Sequence, residues 1–163
     1  MIVDSFDDLY HAEQLRAYRL AYLLCGDATM AEDVVASAFL SVWRRWDGGD
    51  VVDLGPYLRR AVVNQVVSGF RRRSLERRER ARRPSPDAPR GPEDLAVDRQ
   101  ALSQALMSLP PRQRTAIILR YFEDLTESDI ATCMTTTVGT TKAHLSRGLA
   151  ALRQRLDEGE GNR

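Results

Sequence analysis

The side chains best suited to bind a ligand lie on the final helical segment of the chain. They end in hydroxyl, cationic or imidazole groups. Val138, Leu145 and Leu149 recur at helical steps, and this apolar stripe predicts a helix that opens at Val138. Such polar ends on the opposite side can bind phosphates and base edges, although an ordinary solvated helix face has the same composition. The residues concerned are Thr140, Thr141, Lys142, His144 and Arg147, with Thr137 as the predicted N-cap.

A short helix is predicted immediately before this segment, from Glu127 to Met134, with Thr126 and Asp129 as a capping pair. The polar stretch 135–137 then forms a tight turn. A short helix, a tight turn and a longer helix are the layout of a helix-turn-helix, whose second helix enters the DNA major groove. Three further arginines precede the motif and are interpreted either as phosphate contacts or as ordinary surface charge: Arg112, Arg114 and Arg120.

A second group of candidate side chains lies on a helix predicted to open at Pro56 and to run to Phe70. Its apolar residues recur every fourth position, and it leads directly into an arginine-rich segment, 71–83. Asn64 can both donate to and accept from a base edge. The basic residues could contact nucleic acid, pair with the acidic front of the chain, or form a solvated helix end. This group comprises Arg59, Arg60, Asn64, Arg71, Arg72 and Arg73.

The distribution of charge supports a nucleic-acid partner, although the total does not. The chain of 163 residues has 24 basic and 23 acidic side chains and a net charge of only +1. By segment, residues 1–53 carry −6, residues 54–90 carry +8 and residues 91–163 carry −1. A GC-rich coding sequence would account for a preference for arginine over lysine, but it does not explain this clustering.

Several functional classes lack support in the sequence. Neither His11 nor His144 has neighbours at metal-ligand spacing, and no nucleophile or phosphate-loop motif is present, so we expect no enzyme and no cofactor. The sequence shows no secretory signal and no long apolar run, so we expect no membrane insertion. Cys25 and Cys133 are far apart in sequence, which suits packed thiols in a reducing cytoplasm.

The elements that position these residues are predicted to be helices throughout. The predicted fold is all-α, with two small helical domains over 5–73 and 98–157 and a flexible, Pro/Arg-rich linker over 74–97. The first helix opens at Ser5, runs to Leu24 and includes Leu15 in its apolar set. The second opens at a capping box of Thr29 and Glu32 and runs from Ala31 to Trp46. Its apolar stripe is Val35, Phe39, Val42 and Trp46, and we expect Trp43, Trp46 and Phe70 in the core.

Two sets of motifs, in this order along nearly the whole chain, resemble the bacterial extracytoplasmic-function (ECF) sigma factors of the sigma-70 superfamily. The first domain carries Gly26-Asp27, Ala31-Glu32-Asp33-Val34-Val35 and Tyr57-Leu58-Arg59-Arg60, which look like sigma region 2. The second carries Leu109-Pro110-Pro111-Arg112-Gln113-Arg114 and Val138-Gly139-Thr140-Thr141-Lys142, which look like region 4. The resemblance implies regions 2 and 4 only.

This resemblance implies a factor that binds core RNA polymerase and directs promoter-specific initiation, commonly restrained by an anti-sigma protein. It assigns the helix-turn-helix group to the duplex −35 element. The group around Asn64, with the loop 47–53, is assigned to the melted −10 element. The polymerase contact is assigned to Asp33, Ala36, Ser37, Arg44 and Arg45. Ala36-Ser37, Ser68 and His144 depart from the residues usual in the family.

Two other functions fit the same residues. A stand-alone helix-turn-helix regulator would bind duplex operators as a dimer, and it would leave the first domain without a role. A protein-only anti-activator would use the basic middle segment as a docking patch, and it would show no salt-dependent affinity for DNA.

Overall fold

The computed structural model describes residues 6–46, 54–79 and 96–160, which form seven helices and no strand. The chain divides into two compact units, Met1–Ser85 and Pro86–Arg163. The predicted all-α fold with two small helical units is therefore confirmed. Unit 1 contains α1 (Phe6–Cys25), α2 (Ala28–Trp46) and α3 (Leu54–Glu79), and unit 2 contains α4 (Ala96–Ser108), α5 (Pro111–Tyr121), α6 (Glu127–Cys133) and α7 (Val138–Glu160).

The junction between α1 and α2 shows how local sequence sets the helix ends. Gly26 has a φ of 69°, a left-handed conformation that suits glycine at the end of a helix, and its amide donates to the Tyr22 carbonyl. The Asp27 carboxylate then accepts the amide of Met30 at 2.7 Å. Asp27 is thus the cap of α2, and the predicted capping box of Thr29 and Glu32 is wrong because the helix has already begun at Ala28.

Unit 1 is a three-helix arrangement in which every helix contacts the other two. Its centre includes Leu24 of α1, Val42 of α2 and Val62 of α3, all completely buried. Some apolar residues of α1 and α2 that we expected in the core are exposed to solvent. Leu15 is 57% exposed and Trp43 is 46% exposed, so the expectation that they belong to the core is wrong.

Helix α3 extends farther than the sequence predicted. It continues to Glu79, so residues 74–79 of the predicted linker are helical, and α4 already begins at Ala96. The arginines of this stretch favour helix and permit the extension. The predicted cap Ser5, the loop 47–53 and residues 80–95 lie outside the described part of the chain, as do the side chains of Phe70, Arg71 and Arg73.

Unit 2 is built around α7, which contacts α4, α5 and α6. The proline pair acts as predicted: Pro110 precedes α5 as its N-cap and Pro111 occupies the first turn, where the missing N–H leaves no bond unmade. Ile118, Leu119 and Ile130 are fully buried at the centre. The thiols of Cys25 and Cys133 are buried in different units, in keeping with their predicted packing.

A close approach of α7 to α5 occurs at Gly148. A Cβ placed on Gly148 would lie 2.7 Å from Ile117 Cδ1 and 3.3 Å from Gln113 Cβ. Ile117 is only 2% exposed, and Gln113 Cβ is fixed to the α5 backbone, so an added Cβ would force Ile117 to change rotamer or the two helices to separate. The absence of a side chain at position 148 therefore sets the spacing of these two helices.

Substitution of Gly148 tests this spacing. We expect Gly148→Ala to lower the free energy of unfolding of unit 2 by about 1 kcal/mol, because overpacking outweighs the gain in helix propensity. Gly139→Ala on the same helix is the control, since its Cβ would meet only Thr137 Oγ1 at 3.9 Å. Chemical denaturation of both variants measures the difference, and equal stabilities would show that the α5–α7 approach is not tight.

Candidate nucleic-acid interface

The helix-turn-helix is formed by α6, a short turn and α7. Thr126 caps α6 as predicted, because its Oγ1 accepts the amide of Asp129 at 3.1 Å. The turn then reverses through Thr135, whose φ is 52°, and the amide of Thr136 donates to the Ala131 carbonyl at 2.9 Å. These local bonds fix the start of α7 against the end of α6.

Thr137 caps α7, as the sequence predicted. Its Oγ1 accepts the amide of Thr140 at 3.1 Å, and the two hydroxyls are 2.9 Å apart. Both threonines are exposed, as is Val138 in the first turn. The first amides of a helix have no intrahelical acceptor and carry partial positive charge, so this end of α7 suits an anion.

Lys142 and Arg147 are exposed farther along α7, and Arg112 is exposed on α5. The Nζ of Lys142 lies 3.6 Å from a carboxylate oxygen of Glu127, the first residue of α6. Both side chains remain largely in solvent, so this ion pair is worth little in stability. The pair places the ammonium group of Lys142 next to the start of α6.

His144 lies half-buried between these cationic residues. Burial, followed by the positive charges of Arg112 and Arg147, lowers the pKa of His144 from its ordinary value of 6.5. The electrostatic influence of both arginines places the beginning of α5 and the middle of α7 on a common positive surface. The structure therefore brings Arg112 of α5 near His144 and Arg147, which are three residues apart on α7.

Two predicted contacts are unavailable to DNA because their side chains are buried. Arg114 is 3% exposed, and its guanidinium donates to the Met107 carbonyl at 3.0 Å, so it supports the end of α4. Thr141 is completely buried between α7 and the core. For Arg114, the predicted phosphate contact and the alternative of surface charge are both wrong.

Arg120 is exposed but has a structural partner. Its Nη1 donates to the Leu125 carbonyl at 2.8 Å, across the loop that joins α5 to α6. In that loop Asp124 has a φ of 53°, a conformation that most side chains avoid. The guanidinium therefore braces the loop, and any phosphate contact would have to share it.

In unit 1, α3 presents an exposed polar stripe opposite its buried residues. Arg60, Asn64, Ser68 and Arg72 follow one another at four-residue steps and are all exposed. Arg59 is half-buried beside them. Arg60, Asn64 and Arg72 belong to the group of candidates predicted from the sequence, whereas Ser68 does not.

The sequence did not reveal a groove along α1 and α2, and of the predicted polymerase residues only Ala36 lines it. Asp33, Ala36, Arg44 and Arg45 are exposed on α2, Ser37 is half-buried, and the guanidinium of Arg45 lies 5.5 Å from the centre of the Tyr57 ring. A groove of about 980 Å³ runs along α1 and α2. Four of its apolar lining residues are 40–57% exposed: Tyr10, Leu15, Leu40 and Trp43.

Comparison with known proteins assigns both units. The family model described as Sigma-70 region 2 matches residues 9–76, and the model described as Sigma-70, region 4 matches residues 99–152. The RNA polymerase sigma-E factor of Streptomyces avermitilis is 31% identical over 154 residues, covering 94% of this chain and 86% of that protein. The chain belongs to the ECF sigma factors of the sigma-70 family. Unit 1 therefore contains region 2, and unit 2 contains region 4.

An ECF sigma factor of Bacillus subtilis agrees with this assignment, and two solved structures share the fold. SigW of Bacillus subtilis is 27% identical, with 94% of this chain and 89% of SigW covered. The sigma factor RpoE of Bartonella quintana, solved with the anti-sigma factor NepR, has a TM-score of 0.78 at 24% identity, covering 95% of this chain and 98% of that one. CnrH, solved with the cytosolic domain of CnrY, has a TM-score of 0.65 at 21% identity, with coverages of 94% and 88%. Both show the same fold.

No described helix of the chain is long and apolar enough to cross a membrane.

The stability of region 4 tests whether Arg114 has a structural role. We expect Arg114→Ala to lower its free energy of unfolding by about 2–3 kcal/mol, because the variant leaves the Met107 carbonyl unpaired and opens a cavity. Arg112→Ala removes the same charge from an exposed position and should change stability by less than about 0.5 kcal/mol. Denaturant titration compares the two, and similar losses would contradict the burial of Arg114.

Proposed function

We propose that this sigma factor binds core RNA polymerase and directs promoter-specific initiation, with region 4 reading the duplex −35 element and region 2 capturing the melted −10 strand. The observation that carries the proposal is the exposed polar edge at the N-terminal half of α7, immediately after a capped turn. The chain supplies binding and base recognition, whereas the chemistry of RNA synthesis belongs to the polymerase.

The geometry of α7 supports recognition of duplex DNA. A major groove about 12 Å wide admits one α-helix, and the residues at its N-terminal half reach the base edges. Thr140, Lys142, His144 and Arg147 lie along this part of α7, and Arg112 flanks it from α5. The amides at the Thr137-capped end suit a backbone phosphate, which would fix the helix in register.

The polar stripe of α3 supports capture of a single strand. Opening stacked base pairs costs about 1.4 kcal/mol per step, so the separated strand must gain contacts with the protein. Arg60 and Arg72 offer cationic contacts to the backbone, and Asn64 between them can donate to and accept from a base edge. The side chains of Arg71 and Arg73 belong to the same proposal by their sequence position.

The α1–α2 groove supports the contact with polymerase. Residues 1–53 have a net charge of −6, which would repel DNA, so a protein-facing role suits this part of region 2. Exposed apolar side chains in one groove are typical of protein contact sites. Ala36 lines that groove, and Asp33, Ser37, Arg44 and Arg45 lie on the same helix, α2. An anti-sigma factor is a further proposed partner, because the similar RpoE and CnrH folds were solved with NepR and CnrY.

The role of α7 is tested by transcription. We expect Lys142→Ala and Arg147→Ala each to reduce run-off transcription from a −35-dependent promoter by about 5- to 50-fold, while binding to core polymerase stays unchanged. Gln154→Ala, at an exposed position farther along α7, is the matched control and should transcribe normally.

The same assay separates the alternatives. A stand-alone regulator would bind promoter DNA equally well without core polymerase and would start no transcripts. A protein-only factor would show no salt dependence in any complex with DNA, whereas phosphate contacts predict a steep decrease in affinity with salt.

The groove on α1 and α2 is tested by polymerase binding. We expect Leu40→Asp to weaken the affinity for core polymerase by at least about 10-fold, because a carboxylate cannot be buried cheaply against an apolar partner. The substitution should leave the fold intact, since Leu40 is 57% exposed. Thr29→Asp, exposed near the start of α2 and not a groove-lining residue, is the control for added charge. Normal binding by Leu40→Asp would exclude the groove from the interface.

A further inference from the structure

His144 and Thr141 each carry a buried polar atom without a hydrogen-bond partner. His144 Nδ1 and Thr141 Oγ1 are both inaccessible and unpaired. The two residues are three positions apart on α7, a spacing at which side chains of a helix are neighbours. His144 itself is only half-buried, so the side of its ring away from Nδ1 includes the solvent-facing part. One ring nitrogen is therefore inaccessible, and the partly exposed ring shares α7 with the exposed Thr140 and Arg147 of the surface proposed for DNA.

The burial of Nδ1 decides where a neutral imidazole keeps its proton. A neutral imidazole has one N–H and one lone pair, and a buried N–H without an acceptor is rarer in proteins than an acceptor that lacks a donor. Thr141 Oγ1 does not bond to Nδ1 directly, but one water between them would accept from the hydroxyl and donate to Nδ1. Both considerations place the lone pair on Nδ1 and the proton on Nε2.

We propose that His144 is held as the neutral tautomer protonated on Nε2, and that this single N–H reads a hydrogen-bond acceptor on a base edge of the −35 element. In the major groove guanine, adenine and thymine each offer an acceptor, whereas cytosine offers only an amino donor. His144 therefore excludes cytosine at one position. The inference rests on the proposed role of α7 in −35 recognition and adds the chemical class of base that this residue accepts.

The electrostatic surroundings keep the ring neutral. Burial and the charges of Arg112 and Arg147 lower the pKa of His144, so the imidazole is uncharged at neutral pH. A charged imidazolium would add another cation to this surface and bind phosphate without discrimination. The neutral ring contributes only a directed donor.

The selectivity is tested with reconstituted holoenzyme and a promoter library randomised over the −35 element, by sequencing the DNA that supports transcription. With the wild-type chain we expect cytosine to be depleted about 3- to 10-fold at one position, the range for one hydrogen bond. His144→Arg, which can only donate, should keep the depletion. His144→Gln can donate or accept, and His144→Ala can do neither, so both should lose the depletion at that position alone.

The outcomes separate the inference from the proposed function. An unchanged base profile in His144→Ala would overturn the reading role of His144 and leave −35 recognition by α7 intact. Loss of discrimination at all positions together would also overturn it, because it would show a structural role. A wild-type library without any enriched sequence would overturn the proposed −35 recognition, and the inference with it.

The tautomer is tested on the full chain without DNA by nitrogen-15 NMR of the imidazole rings. His11 and His144 are the only histidines, and the His144→Gln spectrum identifies the signals of His144. At pH 7 we expect the pattern of a neutral ring protonated on Nε2, and Thr141→Val should shift the Nδ1 signal by removing the hydroxyl that holds the bridging water. A ring protonated on Nδ1, or on both nitrogens, would overturn the assignment.

Discussion

The contact between α5 and α7 at Gly148 determines what the rest of region 4 can do. Because position 148 has no side chain, α7 lies against Ile117 and Gln113 at a spacing that any Cβ would widen. This contact is near the middle of α7, so a change in spacing would alter the position of the polar edge at its N-terminal half. Packing in the core and presentation of the recognition residues are therefore one constraint.

The helix ends also determine where the recognition residues lie. Thr126 and Thr137 fix the starts of α6 and α7 through their own hydroxyls, and Arg120 fixes the preceding loop through the Leu125 carbonyl. Each bond alone is worth only about 1 kcal/mol. Together they define where α6 and α7 begin, which matters for the placement of the recognition residues as well as for stability.

The sequence was most informative where structure depends on neighbouring residues. The caps at Thr126 and Thr137, the proline pair before α5 and the helix-turn-helix follow from contacts within a few residues, and the structure confirms them.

The sequence was less informative where burial depends on distant elements. Periodicity marks an apolar face without saying what covers it, so Leu15 and Trp43 were wrongly placed in the core. The burial of Arg114 depends on α4, which no local pattern connects to it. The cap of α2 is Asp27 and not the predicted Thr29, because sequence patterns locate helix ends only to within a few residues.

Trp43 and Trp46, the only tryptophans of the chain, both lie on α2. Trp43 lines the α1–α2 groove and is 46% exposed, so water reaches much of its ring. The tryptophan fluorescence of the molecule therefore originates in region 2, and region 4 contributes no indole signal. A partner that covers the groove would exclude water from Trp43 and move that emission to shorter wavelength. Binding at α7 alone would leave it unchanged, which gives the unlabelled chain an optical distinction between its two proposed surfaces.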